Sequence, residues 1–143
     1  MEKTIWFDMD GTLADLYSIE NWLDKLNARD VKPYEQAKPL LNMRALARLL
    51  NTLQRKGYAI GVISWTADNA SVNYHKAIQK AKQKWLKKHL ASVRFDFIDI
   101  TPYGEPKQDC RNGILFDDNA DIRKGWNGIA YDETAILEVL KAL

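Results

Sequence analysis

The 143-residue sequence contains one cysteine, two histidines and an almost even balance of charge, 21 Lys+Arg against 19 Asp+Glu for a net +2. Cys110 has no partner for an internal disulfide and cannot make a structural zinc site alone. A reducing, cytoplasmic compartment is therefore expected. No apolar run approaches the ~18 residues of a membrane span, so no membrane association is expected. The N-terminus, Met1-Glu2-Lys3-Thr4, runs straight into a strand pattern without a basic n-region or cleavage-site pattern, and no signal peptide is expected. The net charge neither requires nor excludes a nucleic-acid partner. There is no internal repeat, low-complexity segment or linker. What the chain does have is 46% hydrophobic and 10% aromatic residues. That excludes disorder as the main state and suffices for one core. Residues 1–143 are expected to form a single domain.

Short apolar runs alternate with helical periodicity. Thr4-Ile5-Trp6-Phe7 reads as a buried strand that breaks into Asp8-Met9-Asp10-Gly11-Thr12. Ile19, Trp22, Leu23 and Leu26 recur at helical spacing until Pro33 and Pro39 interrupt, suggesting a short helical insert at about 16–41. Met43, Leu46, Ala47, Leu50 and Leu53 share a helix face, with Asn42 as N-cap and Gly57 as stop. Further strands are expected at Tyr58–Ser64, Phe95–Ile100, Gly113–Phe116 and Gly128–Tyr131. A long helix is expected over Ser71–Leu90, and a last helix capped by Thr134. Strands separated by helices imply a three-layer α/β, Rossmann-like sandwich with a mainly parallel sheet.

In such a sheet the C-terminal strand ends share one edge, where ligands bind. Asp8, Asp10, Ser64, Asp117 and Asp118 all fall at or just past strand ends. Carboxylates gathered there repel, by roughly 4 kcal/mol per pair ~4 Å apart at an effective dielectric of 20. Either one is protonated or a cation sits among them, and all-oxygen ligands suit Mg²⁺ better than zinc. A metal among carboxylates favours an anionic substrate such as a phosphate ester. Asp8 and Asp10, separated by one residue and a turn, can divide nucleophile and acid/base roles. Ser64 can offer a hydroxyl and an N–H to a phosphate oxygen, and a lysine is needed to offset charge at phosphorus.

Asp8-Met9-Asp10-Gly11-Thr12-Leu13-Ala14-Asp15 resembles the first motif of the haloacid dehalogenase (HAD) superfamily of phosphotransferases. Val62-Ile63-Ser64 resembles the second, Lys107 the third, and Ile114-Leu115-Phe116-Asp117-Asp118 the fourth. They occur in the family's order over roughly residues 3 to 131. The first motif, and Lys82–Leu90 with Trp85 among lysines, look closest to the 5′(3′)-deoxyribonucleotidases; small phage and bacterial HAD-like proteins share the look. The region between the first two motifs is shorter than in those nucleotidases, so a small helical cap is expected. The resemblance implies a Mg²⁺-dependent phosphomonoesterase with Asp8 as nucleophile, Asp10 as acid/base and Lys107 steadying Asp8 and the phosphoryl group. It implies Mg²⁺ on the Asp8 carboxylate, the Asp10 carbonyl and Asp118, with Asp117 and Asp121 behind them. Ser64 and the backbone near Met9 would bind phosphate. The implied substrate is a (deoxy)nucleoside monophosphate, and the protein a monomer or homodimer. A phosphorylated nucleic-acid end, or a non-catalytic HAD-like binding module, are the alternatives. A receiver-like phosphoacceptor is disfavoured by motif order.

Several residues carry a plainer reading as well. Lys76, Lys80, Lys82, Lys84, Lys87 and Lys88 on one helix, with no acid among them, describe a solvated face or a steering field, although Lys82 or Lys84 could reach the site in place of Lys107. Asp117 or Asp118 could cap the following helix. Trp6 is expected in the core, Trp65 and Trp22 nearer substrate, and His75 and His89 at the surface or in packing.

Overall fold

The computed structural model describes residues 3–143; Met1 and Glu2, part of the signal-peptide reading, lie outside them. In chain order the strands are β1 (Thr4–Phe7), β2 (Ala14–Asp15), β3 (Lys38–Pro39), β4 (Ala59–Trp65), β5 (Phe97–Thr101), β6 (Ile114–Phe116) and β7 (Ile129–Tyr131). The helices are α1 (Trp22–Asn27), α2 (Lys32–Gln36), α3 (Met43–Arg55), α4 (Val72–His89), α5 (Ala120–Gly125) and α6 (Ile136–Ala142). Five strands form one parallel sheet in the order β5-β4-β1-β6-β7, and β2 pairs antiparallel with β3 beside it. The chain leaves β1 toward β4 and β5, then returns to the other side of β1 for β6 and β7. The strand order therefore reverses at β1, which places a crevice at its C-terminal end.

Period-two alternation distributes the core. Ile5, Phe7, Ile60, Val62 and Phe116 face α3 and α6 through Leu46, Leu50, Leu53, Ile136 and Leu140. Trp6, Ile63 and Leu115 face the other way, onto Trp126 and Ile122. Each such fully buried side chain contributes about 1.5–3 kcal/mol. The second layer is the thinner one. The β5–β6 connection holds no helix, and Arg111 from that loop covers the Trp6 ring at 5.6 Å. Trp6 also stacks on Phe97 at 5.3 Å and lies opposite Gly61 in register. A Cβ on Gly61 would stand 2.6 Å from the Trp6 ring. Gly61→Ala is expected to destabilise the protein by about 1–3 kcal/mol, as overpacked cores do, measured by urea denaturation.

The element ends show what local chemistry decided. Asn42 caps α3 by accepting from the Ala45 N–H, and Gly57 follows it with φ +98°. Ser71 caps α4 in the same way through Tyr74. Three expectations change. The Asp132 carboxylate, not Thr134, caps the last helical segment. Asn119, not Asp117 or Asp118, caps α5, leaving both aspartates directed elsewhere. Pro33 lies in the first turn of α2, where its missing N–H costs nothing, rather than interrupting a helix.

Between β2 and β3 the insert carries a 3₁₀ turn (Leu16–Ser18), α1 and α2. The apolar spacing at Ile19–Leu26 does not make a buried face, for α1 buries no residue and Leu23 is 54% exposed. The insert docks instead through Leu16 and Tyr34 onto Tyr74, Ile78 and Ala81 of α4. Three polar contacts reinforce this. The Tyr74 hydroxyl donates to the Asp30 carbonyl (2.8 Å), Trp85 Nε1 donates to the Ala37 carbonyl (2.7 Å), and the Lys82 ammonium lies 5.1 Å from the Tyr34 ring centroid.

Candidate active site

The site begins where β1 stops. Asp8 still donates its N–H to the Phe116 carbonyl, 2.9 Å away. The Met9 carbonyl then accepts from the N–H groups of Thr12, Leu13 and Ala14, closing a tight turn through Gly11 at φ +80°. Gly11 is needed for two reasons. Its φ is one that L side chains rarely adopt, and a Cβ would collide with the Asp118 carboxylate. The turn separates the two carboxylates of Asp8-Met9-Asp10, so that each meets a different lysine.

Asp8 Oδ1 accepts from Lys107 Nζ at 2.9 Å and Oδ2 from the Thr12 hydroxyl at 2.9 Å. Lys107 also bonds Asp117 Oδ2 at 2.8 Å. All three charged groups are buried. Thr12 ties Asp118 in as well, its hydroxyl 3.3 Å from Asp118 Oδ1 and 3.1 Å from the Asp118 N–H. Asp8, Asp117 and Asp118 each bring a carboxylate oxygen within 4.8 Å of the others. Burial, then the hydrogen bond to and repulsion from Asp8, push Asp118 up to about 8. Burial and Asp8 likewise push Asp117 up to about 6, against the pull of Lys107. Burial alone would lower Lys107, but Asp8 and Asp117 outweigh it and hold the ammonium above its ordinary value.

The second lysine serves Asp10. Lys82 Nζ, 1% exposed, donates to Asp10 Oδ2 (2.8 Å), Ser64 Oγ (2.7 Å) and the Trp65 carbonyl (2.7 Å). An ammonium has three protons, so Lys82 is fully engaged. Lys107 makes two bonds to side chains and keeps one proton for the cleft it lines. Burial raises the Asp10 carboxyl above its ordinary value, and Lys82 opposes that shift.

A cleft of about 130 Å³ opens over these groups. Asp8, Asp10, Lys107, Asp117, Asp118 and Trp65 line it, with Tyr17, Thr66, Tyr103, Asn119 and Ile122. Ser64 and Lys82 sit behind the wall, both 1% exposed. Met9 buries its side chain in the core, and among the described residues its N–H and that of Asp10 find no protein acceptor. Asp121 is exposed in the first turn of α5, apart from the three grouped carboxylates. Trp22 packs edge-on against Tyr17 (4.9 Å) rather than lining the cleft. Thr66, Tyr17, Tyr103 and the bridging role of Thr12 were missed by sequence reasoning. Thr66, two residues past Ser64, and Thr12, inside the first motif, were the findable ones. Tyr17, in the short 3₁₀ turn, and Tyr103, on a loop, lie in segments that carry no pattern.

Comparison with known proteins bears on the fold. No family model matches the chain, and no curated relative does. Among solved structures, a D,D-heptose 1,7-bisphosphate phosphatase from Burkholderia thailandensis superposes with a TM-score of 0.53, covering 98% of this chain and 99% of that one, at 12% identity. The chain shares the fold of that phosphatase. Its α/β, Rossmann-like architecture with a parallel five-stranded sheet stands as expected from the sequence. Among the described residues no helix is long and apolar enough to cross a membrane.

At this site the grouped acids make stability depend on pH. Asp118 and Asp117 hold protons at pH values where the unfolded chain has released them. The native form binds more protons, so stability falls as pH rises from about 4 toward 8. In chelator, the melting temperature is expected to fall by a few degrees across that window, and Asp118→Asn to flatten the slope. Differential scanning fluorimetry at fixed ionic strength checks this.

Proposed function

We propose that the protein is a Mg²⁺-dependent phosphomonoesterase that works through a phosphorylated Asp8, with a nucleoside monophosphate as substrate. One observation carries the chemistry: Asp8 lies in the cleft floor, fixed by Lys107 and Thr12, with Asp10 separately held by Lys82 beside it. The three carboxylates offer hard oxygen donors, the donor set Mg²⁺ takes, and without a cation Asp117 and Asp118 have raised proton affinities. Asp8 and Asp118 would hold the ion with the Asp10 carbonyl, Asp117 standing behind on Lys107. When bound, it supplies positive charge against the phosphoryl oxygens.

The protein groups account for the remainder. An Asp8 oxygen attacks phosphorus as the ester P–O bond breaks, and the Asp10 carboxyl gives its proton to the departing alkoxide. Burial, which favours the protonated form of Asp10, suits it to that task. Asp10 then takes a proton from water as that water attacks phosphorus, releasing phosphate and restoring Asp8. The free proton of Lys107 and the N–H groups of Met9 and Asp10 meet the charge on the phosphoryl oxygens. Ser64 acts through Lys82, and Thr66, two residues on, lines the cleft. A cleft of about 130 Å³ is small beside ordinary ligand pockets of ~300–1,000 Å³. It suits a phosphoryl group whose leaving group lies outside.

The neighbour's named substrate is a sugar bisphosphate. Here the Trp65–Tyr103 pair at the cleft mouth, with ring centroids 5.0 Å apart, favours an ester carrying a planar ring. A second reading, a phosphorylated nucleic-acid end, is supported by α4. Lys76, Lys80, Lys84, Lys87 and Lys88 are exposed along it, and among the described residues none has a carboxylate partner. Phosphate release should be measured over nucleoside monophosphates, sugar phosphates and end-phosphorylated oligonucleotides, with Mg²⁺ and with chelator. Metal-dependent release from mononucleotides is expected. Release from oligonucleotides alone would establish the second reading, and no metal-dependent release from any ester would overturn both.

A further inference from the structure

A second cavity, of about 320 Å³, adjoins the cleft and shares Thr66 and Tyr103 with it. Its remaining walls are Ala67, Asn69, Ala70, Val72, His75 and Pro102. The two spaces differ in chemistry. The cleft is walled by four carboxylates and an ammonium, whereas this cavity contains no charged carboxylate or lysine and is mostly apolar. Val72 is 70% exposed and Tyr103 56%, and both stand at this cavity. Large apolar side chains left in water beside a polar reaction centre mark a surface that a ligand covers.

We infer that this cavity is the leaving-group subsite and that it takes a nucleobase. The inference rests on the phosphatase reading for what occupies the cleft, and adds where the rest of the substrate goes and which residues select it. A phosphoryl group over Asp8 can direct its ester oxygen past Thr66 and Tyr103, the two residues common to both spaces. Tyr103, tilted 59° to Trp65, presents a free ring on which a base can stack. Ala67, Ala70, Val72 and Pro102 provide apolar walls. The polar groups are few and placed at the edge. The Asn69 amide can pair with a base edge. His75 shares a 2.7 Å hydrogen bond with the Thr66 hydroxyl through Nδ1, and its other ring nitrogen has no partner among the described residues. His75 thereby fixes Thr66 at the junction of the two spaces, one edge of its ring lining the base cavity.

The test is amide chemical-shift mapping on the Asp8→Asn protein with Mg²⁺, so that bound ester is not consumed. Thymidine 5′-monophosphate and ribose 5-phosphate are the two probes. The nucleotide is expected to shift Ala67, Asn69, Ala70 and Val72 together with the cleft, and ribose 5-phosphate the cleft alone. Tyr103→Ala is expected to weaken the nucleotide's Kd about tenfold, the worth of one base–aromatic stack, and to change the sugar phosphate's Kd less. Identical shift patterns from both probes, nucleotide shifts confined to the cleft, or no shifts at all would overturn the inference. Nucleotide binding at these residues without turnover by the wild-type protein would uphold the subsite and instead remove the phosphatase reading.

Discussion

Asp8→Asn is expected to abolish phosphate release, by about 10⁴-fold or more, the scale on which loss of a catalytic nucleophile registers. The amide is nearly isosteric and can keep its oxygen on Lys107 while its NH2 donates to the Thr12 hydroxyl, so the cleft keeps its shape. What disappears is the anionic oxygen that would bond to phosphorus. The same substitution is expected to leave stability unchanged or raise it in chelator. Asp8 is a source of the repulsion that lifts Asp117 and Asp118, and Lys107 retains its 2.8 Å bond to Asp117 when Asp8 is neutral. Measuring turnover and melting temperature on the same preparation separates the two effects. Lost turnover with an undiminished melting temperature assigns Asp8 to chemistry. Retained turnover at the wild-type rate would remove the phospho-Asp8 route.

Lys82→Met should be the most damaging of the α4 lysine substitutions. Methionine roughly replaces the stem, but the Asp10 carboxylate then faces Ser64 and the Trp65 carbonyl with no positive charge among them. Breaking one side of a buried ion pair costs about 3–5 kcal/mol, or a fall in melting temperature of roughly 10 °C for a chain of this size. Lys80→Met and Lys84→Met, on the exposed face, should stay within about 0.5 kcal/mol of the parent. Adding Asp10→Asn to Lys82→Met is expected to restore much of the stability but not the activity, since the stranded charge is gone and the acid/base group with it. If Lys82→Met melted like Lys80→Met, the Lys82–Asp10 pair would have no structural weight.

Those lysines show where sequence reading stops. Lys76, Lys80, Lys82, Lys84, Lys87 and Lys88 look alike in a chain of letters, and only the docking of α4 beneath the insert decides that Lys82 is buried. The sheet was legible because Thr4–Phe7, the strand ending at Ser64-Trp65, and Ile114–Phe116 are compact apolar runs that end in polar residues. Both the fold and the meeting of Asp8, Asp117 and Asp118 follow from that pattern. The choice between Lys107 and Lys82 was left open in the sequence, and the geometry gives each lysine its own aspartate. The helix caps at Asn119 and Asp132 were misplaced because neighbouring residues of equal capping propensity compete. Phase relative to the sheet settles such contests. Tyr17 and Tyr103 reach the cleft from a 3₁₀ turn and a loop whose paths depend on tertiary packing alone.

The anchoring of the insert has a kinetic consequence. Tyr74, Trp85 and Lys82 of α4 hold it at three separate points, and Lys82 is at the same time the support of Asp10. Swinging the insert outward would uncover an ammonium and disturb Asp10 together. The insert is thus a fixed wall and not a door. On the phosphatase reading, substrate and product would pass without the insert moving, and the rate of turnover should be insensitive to added viscogen.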